Sequence, residues 1–499
     1  MSGPLAELEA RFRRLHGIEG ALAVLTWDQA VWMPSGGAPA RGLQIATLRR
    51  LAHDILTSPE LGERLEEAAA SPVDDPWRRA NLREMRRLRT LAVAVDPALV
   101  EAAAEATTRA ELVWRRARQD SDFALLRPHL EEVVALERER ARQLGAALGL
   151  APYDALLGTY QPGLSDRDLE PLFAPLAERL PDLIDDLLAR QQPPRRPRGP
   201  FPRAAQKALA EGLMRRLGFD FAHGRLDEST HPFCGGTPTD IRITTRYDEA
   251  DATTGLMAVL HETGHALYEA GLPRDWLDQP VGAARGMAVH ESQSLLVEMQ
   301  VCRSRPFLAF LAGELERAFG PDPAFATDNL VRLYNHVARG FIRVDADEVT
   351  YPLHVILRWR LERALIEGAL EPAELPAAWN EGMRELLGVT PPDDRRGVLQ
   401  DIHWPVGLFG YFPCYTVGAL LAAQLFRAVR AALPDLPRAL AAGEFGDLLG
   451  WLREKVHGQG SRPEFAELVR EASGAPLSCD AFFAHLAERY DVALGSPAA

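Results

Sequence analysis

Two histidines four residues apart, with a glutamate directly after the first, stand at His261, Glu262 and His265 in the stretch HETGH. On a helix, residues at that spacing fall on one face, one turn apart. Two neutral imidazoles there can ligate one zinc ion, and Glu262 sits beside it to take a proton from a bound water. With 13 histidines in 499 residues, such a pattern arises by accident roughly 0.02 times in a chain of this length. A third ligand is needed. Metzincins place Gly and His three and six residues after the second His; Tyr268 and Gly271 stand there, which excludes that class. Glu291, in GMAVHESQSLLVEMQ on the next amphipathic stretch, is the candidate. Glu269 is too near in sequence to fold back and complete a tetrahedron. Glu298 suits a place behind a ligand histidine, orienting it. His261, His265 and Glu291 leave an open position, the form of a catalytic site. Glu262 is then general base and later proton donor to the leaving amine, and the reaction class is peptide-bond hydrolysis.

The elements that must hold these residues are mostly helices. Asp251 or Thr253 can cap a helix carrying HETGH, and Gly271 and Pro273 can end it. Apolar spacing of three and four predicts further amphipathic helices over 96–118, 122–148, 166–190, 203–217, 353–369 and 416–432. HPFCGGTPTDIRITTRY, 231–247, breaks the pattern with Gly/Pro turns and the alternation Ile241, Ile243, Thr245, and reads as a hairpin or small sheet. A short sheet before HETGH suggests a groove whose edge strand aligns an extended peptide. QQPPRRPRGPFPR, 191–203, reads as an exposed loop inside one large helical domain over 1–499. In that reading, residues 1 to about 200 form one groove wall and 201–499 carry the metal site.

The formal net charge of −14 argues against a nucleic-acid or anionic-membrane partner, since both require a basic footprint. Cys234, Cys302, Cys414 and Cys479 show no CxxC pairing and read as reduced thiols in a cytoplasmic protein. The charged N-terminus has no apolar leader, and no run of 18 apolar residues occurs.

Several stretches together resemble the carboxypeptidase Taq family of metallocarboxypeptidases: HPF at 231–233, DIRIT at 240–244, HETGH at 261–265, HESQS at 290–294, IRVDAD at 342–347 and GVLQDIHW at 397–404. WDQAVWMPSGG at 27–37 and GYFPCY at 410–415 also fit, so the resemblance runs nearly end to end. It implies a mainly α fold cut by a deep groove, similar to neurolysin and angiotensin-converting enzyme. It also implies a homodimer, zinc or cobalt as the ion, and stepwise removal of C-terminal residues with broad specificity, terminal Pro being resisted.

A carboxypeptidase must hold a free carboxylate, which a planar guanidinium does with two charge-assisted hydrogen bonds. Arg343 in IRVDAD is the first choice for this, the alternative being a salt bridge to Asp345 or Asp347. Arg242 in DIRIT is the second, the alternative being pairing with Asp240. Tyr415 is the leading oxyanion donor, with Tyr411 able to donate as well and His403 assigned to catalysis as a substrate-facing donor. His231 reads as a loop-fixing or substrate-side histidine. His290 points away from Glu291, toward substrate rather than metal. Trp27 and Trp32 read as core or groove-wall aromatics. Two other functions stay open: an oligoendopeptidase in the same groove, which needs no carboxylate anchor, and a helical peptide-binding protein with a vestigial metal site.

Overall fold

The computed structural model describes residues 3–229 and 232–492. Among the described residues, twenty α-helices surround one three-stranded sheet. Many helices open on the same local device. Ser58, Asp75 and Asp96 each accept a hydrogen bond from a first-turn backbone N–H, and each is followed by Pro. Proline has no N–H to lose there, and its fixed φ already suits the first turn. The helices expected from periodicity lie at Pro97–Asp120, Phe123–Leu148, Asp166–Arg190, Arg203–Leu217, Tyr351–Glu367 and Pro413–Ala432. The 191–202 tract carries no regular structure, and the Arg195 N–H and carbonyl are tied to Asn329.

The buried apolar residues form two clusters. A small one, from Leu8 to Met85, joins the first four helices. A large one runs from Val95 to Leu486. Between them opens a groove of about 1390 Å³, lined on one side by Phe12, Leu15 and Leu88 and on the other by the HETGH helix and Arg343.

The sheet expected near residue 240 is a hairpin of β2 (Phe233–Thr237) on β3 (Asp240–Thr245), with β1 (Gly224–Glu228) added parallel to β3. Its order is β1-β3-β2. No alternation in GRLDE marks β1, which is why periodicity misses it. The helix Ala252–Gly271 packs on β3 and on the helix Met287–Leu295.

The C-terminal helix Asp480–Tyr490 is fastened by one buried carboxylate. Glu348 is 4% exposed. It accepts from Arg489 Nη1 at 3.0 Å, from Tyr490 Oη at 3.0 Å, and pairs with His485 Nε2 at 2.9 Å. Burial raises its pKa, but Arg489 and His485 outweigh burial and hold it far below the usual range. The pairing therefore adds stability above the unfolded carboxylate pKa of about 4.3, and loses it as pH falls below that value. Glu348→Gln is expected to cost about 3 kcal/mol by leaving Arg489 buried without its anion. Thermal melts at pH 7 and pH 4 should show the variant's deficit shrinking at the lower pH; a deficit unchanged with pH would contradict the charge argument.

Candidate metal centre and substrate groove

Asp251 caps the HETGH helix, accepting from the backbone N–H of Thr253 and Thr254. His261 and His265 follow one turn apart, and Glu291 approaches from Met287–Leu295. One ligand atom from each of His261, His265 and Glu291 lies within 4.8 Å of the others. His265 Nε2 is 3.4 Å from Glu291 Oε2, and His261 Nε2 is 4.0 Å from Oε1. Two imidazoles and a carboxylate converging on one point suit a single divalent ion, with room for a further ligand from the groove.

Two glycines make this convergence possible. A Cβ on Gly264 would meet Gln293 O and Ser294 Cα at 2.6 Å, so the two helices touch backbone to backbone there. A Cβ on Gly418, in Pro413–Ala432, would meet Glu291 Cβ at 2.8 Å. Glu291 is thus held between two helices that approach only because side chains are missing.

Each imidazole is also held from behind. His261 Nδ1 lies 2.9 Å from Glu298 Oε2, and the other Glu298 oxygen accepts from Arg303. His265 Nδ1 lies 2.6 Å from His290 Nδ1, and His290 Nε2 lies 2.8 Å from Glu269 Oε1. With Nε2 turned to the centre, each Nδ1 carries the proton and donates outward, which fixes tautomer and ring plane. Glu298 lies on a π-helical turn over Leu296–Cys302 and meets His261 from behind. The His290–Glu269 pair behind His265 escapes sequence reasoning: His290 looks outward toward substrate on a helical wheel, and nothing local pairs it with Glu269.

The charges around the centre call for a cation. Burial lowers both imidazoles, but Glu298 and Glu291 carry His261 to about 10, while His265 falls to about 4 beside His290 and His261. Burial raises Glu262 to about 7, with Glu291 and Glu298 adding to it. Glu262, Glu291 and Glu298 bring three carboxylates to two imidazoles, surroundings that favour a cation.

The other sequence candidates fall in three places. Tyr411 and Tyr415 line the groove; His403 does not. His403 Nε2 lies 3.1 Å behind Tyr415 Oη. Burial lowers His403 to about 3, so it is neutral and meets the groove through Tyr415. Arg343 lines the groove, but its carboxylate partner is Asp401 rather than Asp345 or Asp347. Asp347 is spent on the backbone N–H groups of Ala338, Val349 and Thr350. Arg242 makes a forked pair with Asp240, at 3.0 and 2.7 Å, and lies over the Trp27 ring at 4.2 Å. Neither Arg242 nor Asp240 is among the groove-lining residues. Trp27 is buried, whereas Trp32 is 63% exposed and walls nothing. His231 lies outside the described residues.

The four cysteines are free. Among the described residues, no single helix is long and apolar enough to cross a membrane.

Comparison with known proteins gives one consistent result. The family model described as carboxypeptidase Taq (M32) metallopeptidase matches residues 7–490. Thermostable carboxypeptidase 1 of Thermus thermophilus is 42% identical, covering 95% of this chain and 96% of its own. Among solved structures, Trypanosoma cruzi metallocarboxypeptidase 1 superposes with a TM-score of 0.96 at 41% identity, covering 98% of this chain and 99% of its own. The Pyrococcus furiosus carboxypeptidase structure gives 0.94 at 33% identity, covering 98% of this chain and 99% of its own.

Proposed function

Since the chain belongs to the carboxypeptidase Taq (M32) metallopeptidase family, we propose that it removes C-terminal residues from peptides one at a time with broad specificity, using Glu262 as general base. The observation that carries this reading is the meeting of two unlike sites in one groove: His261, His265 and Glu291 in one place, and Arg343 beside Tyr351 and Tyr415 in another. The first suits hydrolysis, the second a carboxylate.

His261, His265 and Glu291 would hold a divalent ion, which when bound would supply acidification of a water and polarisation of the scissile carbonyl. Zinc and cobalt both accept that donor set. Glu262, beside His261 and facing the groove, takes the water's proton and passes it to the leaving amine. Tyr415 donates its hydroxyl to the developing oxyanion. His403 behind it holds that hydroxyl in place. Tyr411, whose ring stands 5.3 Å from the Tyr415 ring, closes the wall. Arg343 takes the substrate's terminal carboxylate.

The wide groove favours unfolded peptides over folded proteins as substrates. Four free thiols suit a reducing, cytoplasmic compartment. The homodimer expected of this family is part of the same reading.

The test is a time course on one short peptide with a free C-terminus and on its C-terminal amide, read by mass spectrometry. A ladder of single C-terminal losses from the free acid is expected. Internal fragments would move the assignment to an endopeptidase, and no cleavage with either ion would leave a binding protein. In the same assay Arg343→Ala is expected to raise KM for the free acid about 10- to 100-fold, the range for losing a charge-assisted hydrogen-bond pair. If acid and amide suffered equally, Arg343 would not be the anchor.

A further inference from the structure

Arg343 is one half of a buried pair. It sits on the short turn Arg343–Asp345, while Arg358 comes from the helix Tyr351–Glu367. Both guanidiniums meet one carboxylate. Arg343 donates from Nε and Nη2 to Asp401 Oδ1 at 3.1 and 2.9 Å. Arg358 donates from Nε to Asp401 Oδ2 at 2.7 Å. Gln400 Oε1 ties the pair together, accepting from the Arg343 backbone N–H at 2.8 Å and from Arg358 Nη2 at 2.7 Å. The Phe412 ring lies 5.6 Å from each guanidinium carbon.

The charges do not cancel. Arg358 is 0% exposed and Arg343 6%. Among the described residues, no second carboxylate comes within ion-pair distance of either. The nearby histidines add nothing: burial lowers His354 well below its usual value and His403 to about 3. Two cations share one anion, which leaves one positive charge in a place poorly served by water. Arg358 cannot shed its proton at neutral pH, although burial and Arg343 lower it to about 10. The unbalanced charge has one outlet. Arg343 Nη1 has a long contact, 3.4 Å to Tyr351 Oη, and both residues line the groove.

We propose that Arg358, which cannot touch substrate, sets the charge of the carboxylate site: by taking half of Asp401 it leaves Arg343 a full positive charge for the peptide's C-terminal carboxylate. Arg358 is thus a positioning residue, and Asp401 is an orienting clamp rather than a neutralising partner. Without Arg358, Asp401 would cancel Arg343 and repel an incoming carboxylate. The inference rests on the Arg343 reading above and goes beyond it, because it makes acid recognition depend on a residue no ligand reaches.

The test uses a dipeptide with a free carboxylate and its C-terminal amide as competitive inhibitors of the full-length, metal-loaded enzyme. The readout is the amide-to-acid ratio of inhibition constants. Arg358→Gln is expected to lower that ratio at least about tenfold, the order expected for one charge a few ångströms away at an effective dielectric near 20. Its kcat should stay within about threefold, because no reacting atom is touched. Arg358→Lys keeps the charge without the fork and should hold the ratio within about threefold of wild type. If Arg358→Gln keeps the ratio while Arg343→Met collapses it, the inference fails and the anchor stands. If Arg343→Met also keeps it, the anchor reading fails and takes the inference with it. Should Arg358→Gln not fold, the Lys variant decides: folded, with the ratio lost, it would show that the forked bonds matter and the charge does not.

Discussion

Glu262→Gln is expected to lower kcat by about 10³-fold or more while the protein keeps its full complement of metal. Two features of the site separate these effects. Glu262 is not one of the residues whose ligand atoms converge; those are His261, His265 and Glu291. It is the neighbour of a ligand on the same helix and faces the groove where the attacking water must sit. An amide of the same shape fills its space and still accepts a hydrogen bond, but it cannot take a proton. General-base catalysis contributes about 10² to 10⁴ in comparable sites, and in the proposed mechanism the same group also delivers the proton to the leaving amine, so the upper half of that range is expected. The check is turnover measured beside the metal-to-protein ratio on one preparation. Activity within about tenfold of wild type, with metal in place, would remove Glu262 from the proton path and require another base.

How much of this was legible in the residues depends on the range of the interaction. HETGH spans one helical turn, so periodicity alone puts both imidazoles on one face, and Asp251 and the Gly271–Leu272 region bound the helix as expected. The approach of Glu291 to the two imidazoles, and of Glu298 to His261, was readable because both lie on the next amphipathic stretch. The long helices were readable for the same reason. What stayed hidden depends on elements far apart in sequence. Asp401 meets Arg343 across 58 residues, and His290 meets Glu269 across 21. A helical wheel states where His290 points, not that another helix brings Glu269 there. β1 pairs with β3 through backbone hydrogen bonds that no side-chain pattern announces.

Local reading also misplaced some residues for identifiable reasons. Asp345 and Asp347 are near Arg343 in sequence, but Asp347 is occupied by the backbone N–H groups of Ala338, Val349 and Thr350 and by the Thr350 hydroxyl. Trp32 follows directly on a helix that ends at Val31, so it falls outside the packed face that buries Trp27. The one signal that could have predicted the tight helix contact was Gly264 itself. A glycine in mid-helix costs about 1 kcal/mol against alanine, and its presence between the two histidines hints that another backbone comes close.

Glu291→Gln is expected to cost the enzyme its metal, and with it at least about 10³-fold in activity. Glu291 is 8% exposed and lies with its carboxylate between two imidazoles. Gln has almost the same volume, so the close approach of Gly418 to the Glu291 Cβ still fits. What changes is charge. His261 and His265 are neutral donors when they bind an ion, so Glu291 is the single anion among the three convergent ligands. Its loss leaves a divalent ion to be desolvated by neutral groups in a buried site, which is unfavourable. Glu298→Gln provides the graded comparison. It removes the carboxylate behind His261 but leaves all three ligands, and changes of that kind cost about 10- to 100-fold in metal affinity. Metal retention through dialysis against a weak chelator should therefore rank wild type above Glu298→Gln, and Glu298→Gln above Glu291→Gln. Activity regained on adding excess ion should follow the same order. If Glu291→Gln held its metal as firmly as Glu298→Gln does, Glu291 would be a structural carboxylate wedged between helices, and the third ligand would have to be sought elsewhere in the groove.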